Sequence, residues 1–348
     1  MKILVLDPRA GDRVTDLFII DPNRRTVDAM RLNYAPEMQL DASSRELLIV
    51  ETDLYEGAAN DATTYWLRMY DAETFRRVRE VETPVRPMYA GYPNRSTRVR
   101  SSVSGRYVYM QELCTHPERL DLYRTWLRRY DRRLDVLERG IPCIDSCSVD
   151  FGTLGTSDED IFFHLTCEEP NTIAFARFSS ADIEFVRLTD FMTARTYALQ
   201  ETCGSWFDAP TQSLFCTTRE GSIYRARQPP AASALWLRLP IEEPRTVPLQ
   251  HVHSSRGRLF VGVARDRHER SLSLVSEVWE IAIDDATIQQ VIALPSPVIN
   301  FVTAENTPLL LGVDPYRSAL YFMDLTSGKL LDQITDLGMT PAEVQVVP

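Results

Sequence analysis

Lysine is almost missing from this sequence: Lys2 and Lys329 are the only two in 348 residues. Nearly all the positive charge is therefore arginine, read here as outward-facing strand positions. Schiff-base chemistry, which needs a lysine amine, has almost no candidate. Also missing is any apolar stretch near the roughly 20 residues that a membrane-spanning helix needs. The opening Ile3-Leu4-Val5-Leu6 gives way at once to Asp7-Pro8, with no small-residue cleavage site behind it, so it does not read as a secretory leader. The sequence as it stands is expected in the cytoplasm, or in the periplasm if a leader has been removed. Positive charge is in deficit too: the formal net charge is −11. That balance argues against nucleic acid or an anionic membrane as a partner.

Metal-binding spacing is equally thin. Cys143 and Cys147 have no second pair at zinc-site spacing among the six cysteines. Of five histidines, only His251 and His253 stand two apart, which sets them on one face of a strand with no third ligand nearby. They read as a half-exposed strand pair. No cofactor is expected on this chain.

What the sequence does have is a repeat. A β-rich run, a polar turn and a second alternating run recur seven times. Leu17–Asp21 precedes Val27–Met30, Trp66–Asp71 precedes Val78–Val81, and Trp126–Asp131 precedes Leu134–Leu137. Further copies start at Ile173, Ser222 and Val278, and the last, Ala319–Asp324, is followed by the hairpin turn Thr326-Ser327-Gly328-Lys329. Ahead of six of them lies another hairpin, such as Ser104-Gly105-Arg106 before Tyr107–Met110. Each unit is then four antiparallel strands over about 40 to 60 residues, the size of a propeller blade. The opening run Ile3–Leu6 lacks a first strand, and Glu343–Val347 at the far end supplies one. The expectation is all-β: one domain over 1–348, a seven-bladed β-propeller of four-stranded antiparallel blades. Its ring is closed by the C-terminal strand pairing with the N-terminal blade, which removes the exposed sheet edge. Trp66, Trp126 and Trp279 fall in equivalent third strands and read as repeated blade-core aromatics.

Turns alternate between the two faces of such a disc. The long connections, among them 8–14, 53–63, 84–97, 189–200 and 266–273, all belong to one face. Long loops concentrate where binding happens.

Several segments resemble the heavy subunit of the methylamine and aromatic amine dehydrogenases. Asp7-Pro8 with Val14-Thr15 and Leu17–Asp21 looks like that family's opening blade. Tyr92-Pro93 ahead of Ser104-Gly105-Arg106 is similar to the approach to its next inner strand. Cys147, Asp160–His164 and Cys167 resemble its heavy-chain disulfide segment, and Thr326–Lys329 with Leu337–Val347 its final blade. The resemblance implies a subunit without a redox cofactor of its own. Such a subunit holds a small light chain that bears a tryptophan-derived quinone and passes electrons to a redox protein. It also implies a Cys147–Cys167 disulfide, which a cytoplasmic chain would keep as thiols. By its place in the first loop, Gly11 stands where the family has a channel-lining phenylalanine, with Arg9 and Asp12 beside it. The partner face is thus expected to carry Arg9, Gly11 and Asp12, with Tyr55, Tyr92 and Arg267 on the neighbouring long loops. Two functions follow. One is a non-catalytic heavy-subunit-like propeller holding a light-subunit-like chain. The other is a cytoplasmic scaffold that binds a peptide or modifying enzyme, with no quinone chemistry.

Overall fold

The architecture is taken from a computed structural model, which describes residues 1–9, 14–41, 45–52, 64–84, 97–101, 107–115, 123–131, 133, 136–141, 147–154, 160–167, 172–178, 183–188, 202–208, 210–218, 221–227, 233–240, 252–265, 274–304 and 307–347. Among them are twenty-seven strands and no helix, so no helix there is long and apolar enough to cross a membrane.

The strands form six antiparallel sheets, five of them up-and-down meanders in chain order and the sixth such a meander with the chain's last strand added at its edge, and none closes on itself. Five are four-stranded, spanning 97–141, 147–188, 202–238, 252–298 and 300–334. The remaining sheet has seven strands: six from 2–84, with Glu343–Val347 added beside Lys2–Arg9. Its long middle strand Thr26–Asp41 serves two partners. The stretch from Thr26 to Asn33 pairs with Val14–Asp21, and the stretch from Tyr34 to Asp41 pairs with Glu46–Thr52, across an irregular register between Tyr34 and Glu37.

Burial explains the apolar runs. Second strands such as Lys2–Arg9, Arg258–Val263 and Leu309–Asp314 are buried at nearly every position, while the outer strand Leu330–Ile334 is almost wholly exposed. A strand buried on alternate sides at every residue needs a neighbour on both faces of its sheet. The core supplies them, because each cluster lies between successive four-stranded groups. Leu4, Leu6 and Leu17 meet Leu47, Ile49 and Tyr70 inside the seven-stranded sheet. Leu48, Val50 and Met69 meet Val108 and Tyr130. Phe215 and Ile223 meet Leu259 and Ile281, Phe260 and Val278 meet Leu310 and Tyr321, and Leu311 and Phe322 meet Ile3 and Ile20.

The hairpin turns reuse one device. Asp21, Asp71, Asp131 and Asp324 each end a third strand and accept backbone N–H bonds from the turn that follows. This side-chain turn is why aspartate recurs at that place in the repeat.

The chain ends are joined by a clamp on Asp7. Glu343–Val347 pairs with Lys2–Arg9, setting Val344 opposite Val5 and Gln345 opposite Leu4. The buried Asp7 carboxylate accepts from the N–H groups of Met339 (3.1 Å) and Thr340 (2.6 Å), and from Arg9 Nε (2.9 Å). Leu337 N–H reaches Ser318 in the last sheet, and Met38 N–H reaches Glu343. The approach needs Gly338: its φ is +85°, and a Cβ there would sit 1.9 Å from Asp7 Oδ2. Gly338→Ala combines a left-handed strain with a clash against a buried carboxylate, so unfolding free energy should fall by about 3 kcal/mol or more. Urea denaturation checks this, and a loss within the roughly 0.5 kcal/mol usual at neutral surface sites would remove the clamp's importance.

Candidate functional site

Of the expected partner face, Arg9 falls among the described residues, and Gly11, Asp12, Tyr55, Tyr92 and Arg267 lie outside them. Arg9 ends the strand Lys2–Arg9, next to the first long loop. Its guanidinium bridges two carboxylates, Nε to Asp7 at 2.9 Å and Nη2 to Asp16 at 2.7 Å, and its side chain is 22% exposed. Arg31 meets Asp16 from the strand Thr26–Asp41 at 3.1 Å. Arg9 is thus an internal strut as much as a surface charge, and reversing it would set three carboxylates against one another.

Two large exposed side chains stand at the same end: Tyr316, 64% exposed, and Met339, 68% exposed. Tyr316 lies in a turn where Asp314 Oδ1 accepts from the N–H groups of Tyr316 and Arg317. Met339 is carried by the segment bonded to Asp7, and Leu337 N–H to Ser318 O links that segment to the Tyr316 turn. Sequence reasoning missed both residues. The Asp-Pro-Tyr-Arg run signals the turn, but the approach of residues 337–340 to it is a contact between distant parts of the chain.

The buried acids of the described region hold strands together. Glu51 takes Tyr70 Oη at 2.7 Å, Asn33 N–H at 3.1 Å and an Arg68 ion pair. Burial, followed by that hydrogen bond to Glu51, pushes the Tyr70 phenol well above its ordinary value, so it stays a hydroxyl. Asp314 takes Tyr321 Oη at 3.0 Å in the same way. Arg225 is buried, giving hydrogen bonds to Ser213 Oγ and to the Ile283 carbonyl of the next sheet. Burial lowers its pKa, with Arg227 adding to the effect.

His253 is held by its neighbours across two sheets. Its Nε2 lies 3.0 Å from Thr303 Oγ1, and its ring stacks on Phe260 at 5.1 Å and meets Phe301 at 5.2 Å. His251 lies outside the described residues. No group of three or more potential metal ligands occurs among the described residues. Two tryptophans of the repeat, Trp66 and Trp279, are less deeply placed than a core reading implies, and the side chain of Trp126 lies outside the described residues. Trp66 is half-buried, with the Arg68 guanidinium 5.2 Å from its ring, and Trp279 is partly buried against the core, giving a hydrogen bond to Glu277.

Cys147 and Cys167 are direct cross-strand partners, in the strands Cys147–Leu154 and Asp160–Cys167. Facing residues in an antiparallel pair have Cα atoms about 4.5 or 5.5 Å apart, inside the range that a disulfide spans.

At the opposite end from Arg9, a cavity of about 360 Å³ opens between the sheets 252–298 and 300–334. Phe260, Glu280 and Thr303 form its buried part, and Arg256, Arg258 and Gln289 its exposed part. The connections at this end are mostly short, so loop length in the sequence carries no signal of it.

No family model matches the sequence, and no curated protein matches it. Solved structures do. A 6-phosphogluconolactonase-like protein of Bacteroides fragilis is similar with a TM-score of 0.61 at 11% identity, over 99% of this chain and 97% of that one. AztD of Citrobacter koseri gives 0.58 at 10% identity, over 99% and 96%. The dihydro-heme d1 dehydrogenase NirN gives 0.56 at 13% identity over 96% of this chain, which spans 63% of NirN. None of these three is an amine dehydrogenase heavy subunit. Likenesses at this identity carry the fold alone, and the fold they share with this chain is the β-propeller.

Proposed function

We propose that the chain is a seven-bladed propeller, closed through Glu343–Val347, that acts as a non-catalytic subunit holding a small partner chain. Dividing Thr26–Asp41 at its irregular register gives seven four-stranded groups, which supports the blade count. Neighbouring inner strands support the closure: Glu343–Val347 packs against Thr26–Asp41 and against Asn300–Thr303, and Thr303 meets His253.

The resemblance to amine dehydrogenase heavy subunits supplies the partner's chemistry. It is a light-subunit-like chain with a tryptophan-derived quinone, passing electrons to a redox protein, with no cofactor on this chain. The observation that carries this reading is the facing pair Cys147 and Cys167, the two cysteines that the resemblance links. The partner would sit at the end carrying Arg9, Tyr316 and Met339, with the loops of Gly11, Asp12, Tyr55, Tyr92 and Arg267. A second reading, a scaffold for a peptide or modifying enzyme, draws on the exposed Tyr316 and Met339, since tyrosine and methionine are enriched at protein interfaces.

The complex purified from its own cell should contain a short chain with quinone absorbance, while the isolated subunit should oxidise no primary amine. Turnover by the isolated subunit would refute the non-catalytic assignment, and a co-purified chain without quinone would favour the scaffold. Tyr316→Glu with Met339→Glu should release the partner while changing stability by less than about 0.5 kcal/mol per site. Retention of the partner by that variant would place the interface elsewhere. The disulfide has its own measurement: under denaturing conditions, alkylation should reach Cys147 and Cys167 only after reduction, and labelling of both beforehand would exclude the bond.

A further inference from the structure

A buried arginine between the sheets 202–238 and 252–298 supports an inference independent of the partner. We propose that Arg225 is the anchor of a small site for a carboxylate anion. Arg225 is 9% exposed, the only arginine among the buried residues described. Arg9 and Arg68, which are less deeply placed, each hold two carboxylates. Arg225 holds neutral groups instead. Its Nε donates to Ser213 Oγ at 2.9 Å, its Nη1 donates to the Ile283 carbonyl at 3.0 Å, and its guanidinium lies 5.3 Å from the centre of the Phe215 ring. No carboxylate among the described residues comes within ion-pair distance of it. A buried charge without a paired counter-charge is costly. Burial lowers its pKa, and Arg227, two residues on along the same face of the strand, lowers it further. Asp208 and Asp284 oppose that effect from beyond ion-pair distance.

The open donor is Nη2. It has no acceptor among the described residues, yet it is not sealed, because the sealed side-chain atoms without a partner there belong to Glu46 and Thr307. Its N–H groups therefore reach the surface from a side chain that is otherwise enclosed. The sheet leaves that approach open. Phe215, Arg225 and Ala234 are cross-strand partners in a row and share one face. Ala234, the outer member, is exposed and carries only a methyl group, so the outer strand gives the guanidinium little cover. The turn that joins Ser222–Arg227 to Ser233–Arg238, residues 228–232, contains no acidic residue to fill the place of a counter-charge.

The donor set selects the ligand. N–H groups lying in the guanidinium plane match the geometry of a carboxylate. The nearer acid is already committed: Asp208 accepts from Thr211 N–H at 2.9 Å and from Ser254 Oγ at 2.5 Å, which ties it to its own turn and to the next sheet. Asp208 and Asp284 still offset part of the positive field, so one negative charge suits the site better than the two of a phosphate dianion. Phe215, with Trp236 packed edge-on at 5.0 Å, gives the arginine apolar neighbours. They favour the alkyl end of an organic acid over a hydrated chloride ion.

Thermal unfolding of the full chain in sodium acetate, against sodium chloride and sodium phosphate at the same ionic strength and pH, tests this. Acetate should raise the melting temperature saturably, by about 2 °C or more over chloride. Arg225→Met keeps an apolar stem against Phe215 and removes the charge, so the acetate gain should vanish. Ala234→Leu leaves the charge in place and covers the opening. It should lose the gain as well, with its melting temperature in chloride close to that of the unaltered chain, as is usual for an exposed site. If Arg225→Met does not fold, Ala234→Leu decides alone. Equal melting temperatures in acetate and chloride, a gain that persists in either variant, or a larger gain from phosphate would each overturn the assignment.

Discussion

Strands that are apolar on both faces cannot end a stack, and much of this architecture answers that constraint. Ile3-Leu4-Val5-Leu6 and the similar run at Leu309–Leu311 sit inside their sheets with core clusters on either side. A four-stranded group left at either end of the row would expose such a face to water, at about 25 cal/mol for every Å² uncovered. Five core clusters join groups face to face, and the one joining Ile3 and Ile20 to Leu311 and Phe322 brings the last sheet onto the first. The added strand Glu343–Val347 and the Asp7 clamp secure that contact with directed bonds.

Much of this was legible in the sequence because it is local. Period-two patterning, continuous apolar second strands and an aspartate at the end of four of the third strands are features of a few residues apiece. The supply of a strand by Glu343–Val347 was legible as well, since an opening run with no first strand leaves an edge to be filled. What stayed hidden depends on residues far apart. Nothing near Thr26 reveals that one strand continues to Asp41 and changes partners on the way. Nothing in Arg9-Ala10-Gly11-Asp12 shows that Arg9 is committed to Asp7 and Asp16. The cavity by Arg258 needs two sheets to exist, and its short turns gave no signal through loop length.

The acidic composition also takes on a particular meaning. Asp7, Glu51, Asp314 and Glu280 are buried, and each receives hydrogen bonds or an ion pair from a neighbouring strand or turn. Buried carboxylates in a cleft often mark acid–base chemistry. These four instead receive donors from neighbouring strands and turns that restrain the backbone.

The junction between first and last strands has a mechanical side. Lys2 faces Val347 at one end of the pair, and Leu6 faces Glu343 at the other. Tension applied across residues 2 and 347 would load the outermost rung first and peel the pair open one rung at a time. The Asp7 bonds to Met339 and Thr340 lie beyond the last rung. They would be the final connection to part, acting as a stop that lets the seam fray at its outer end and close again without the two strands separating.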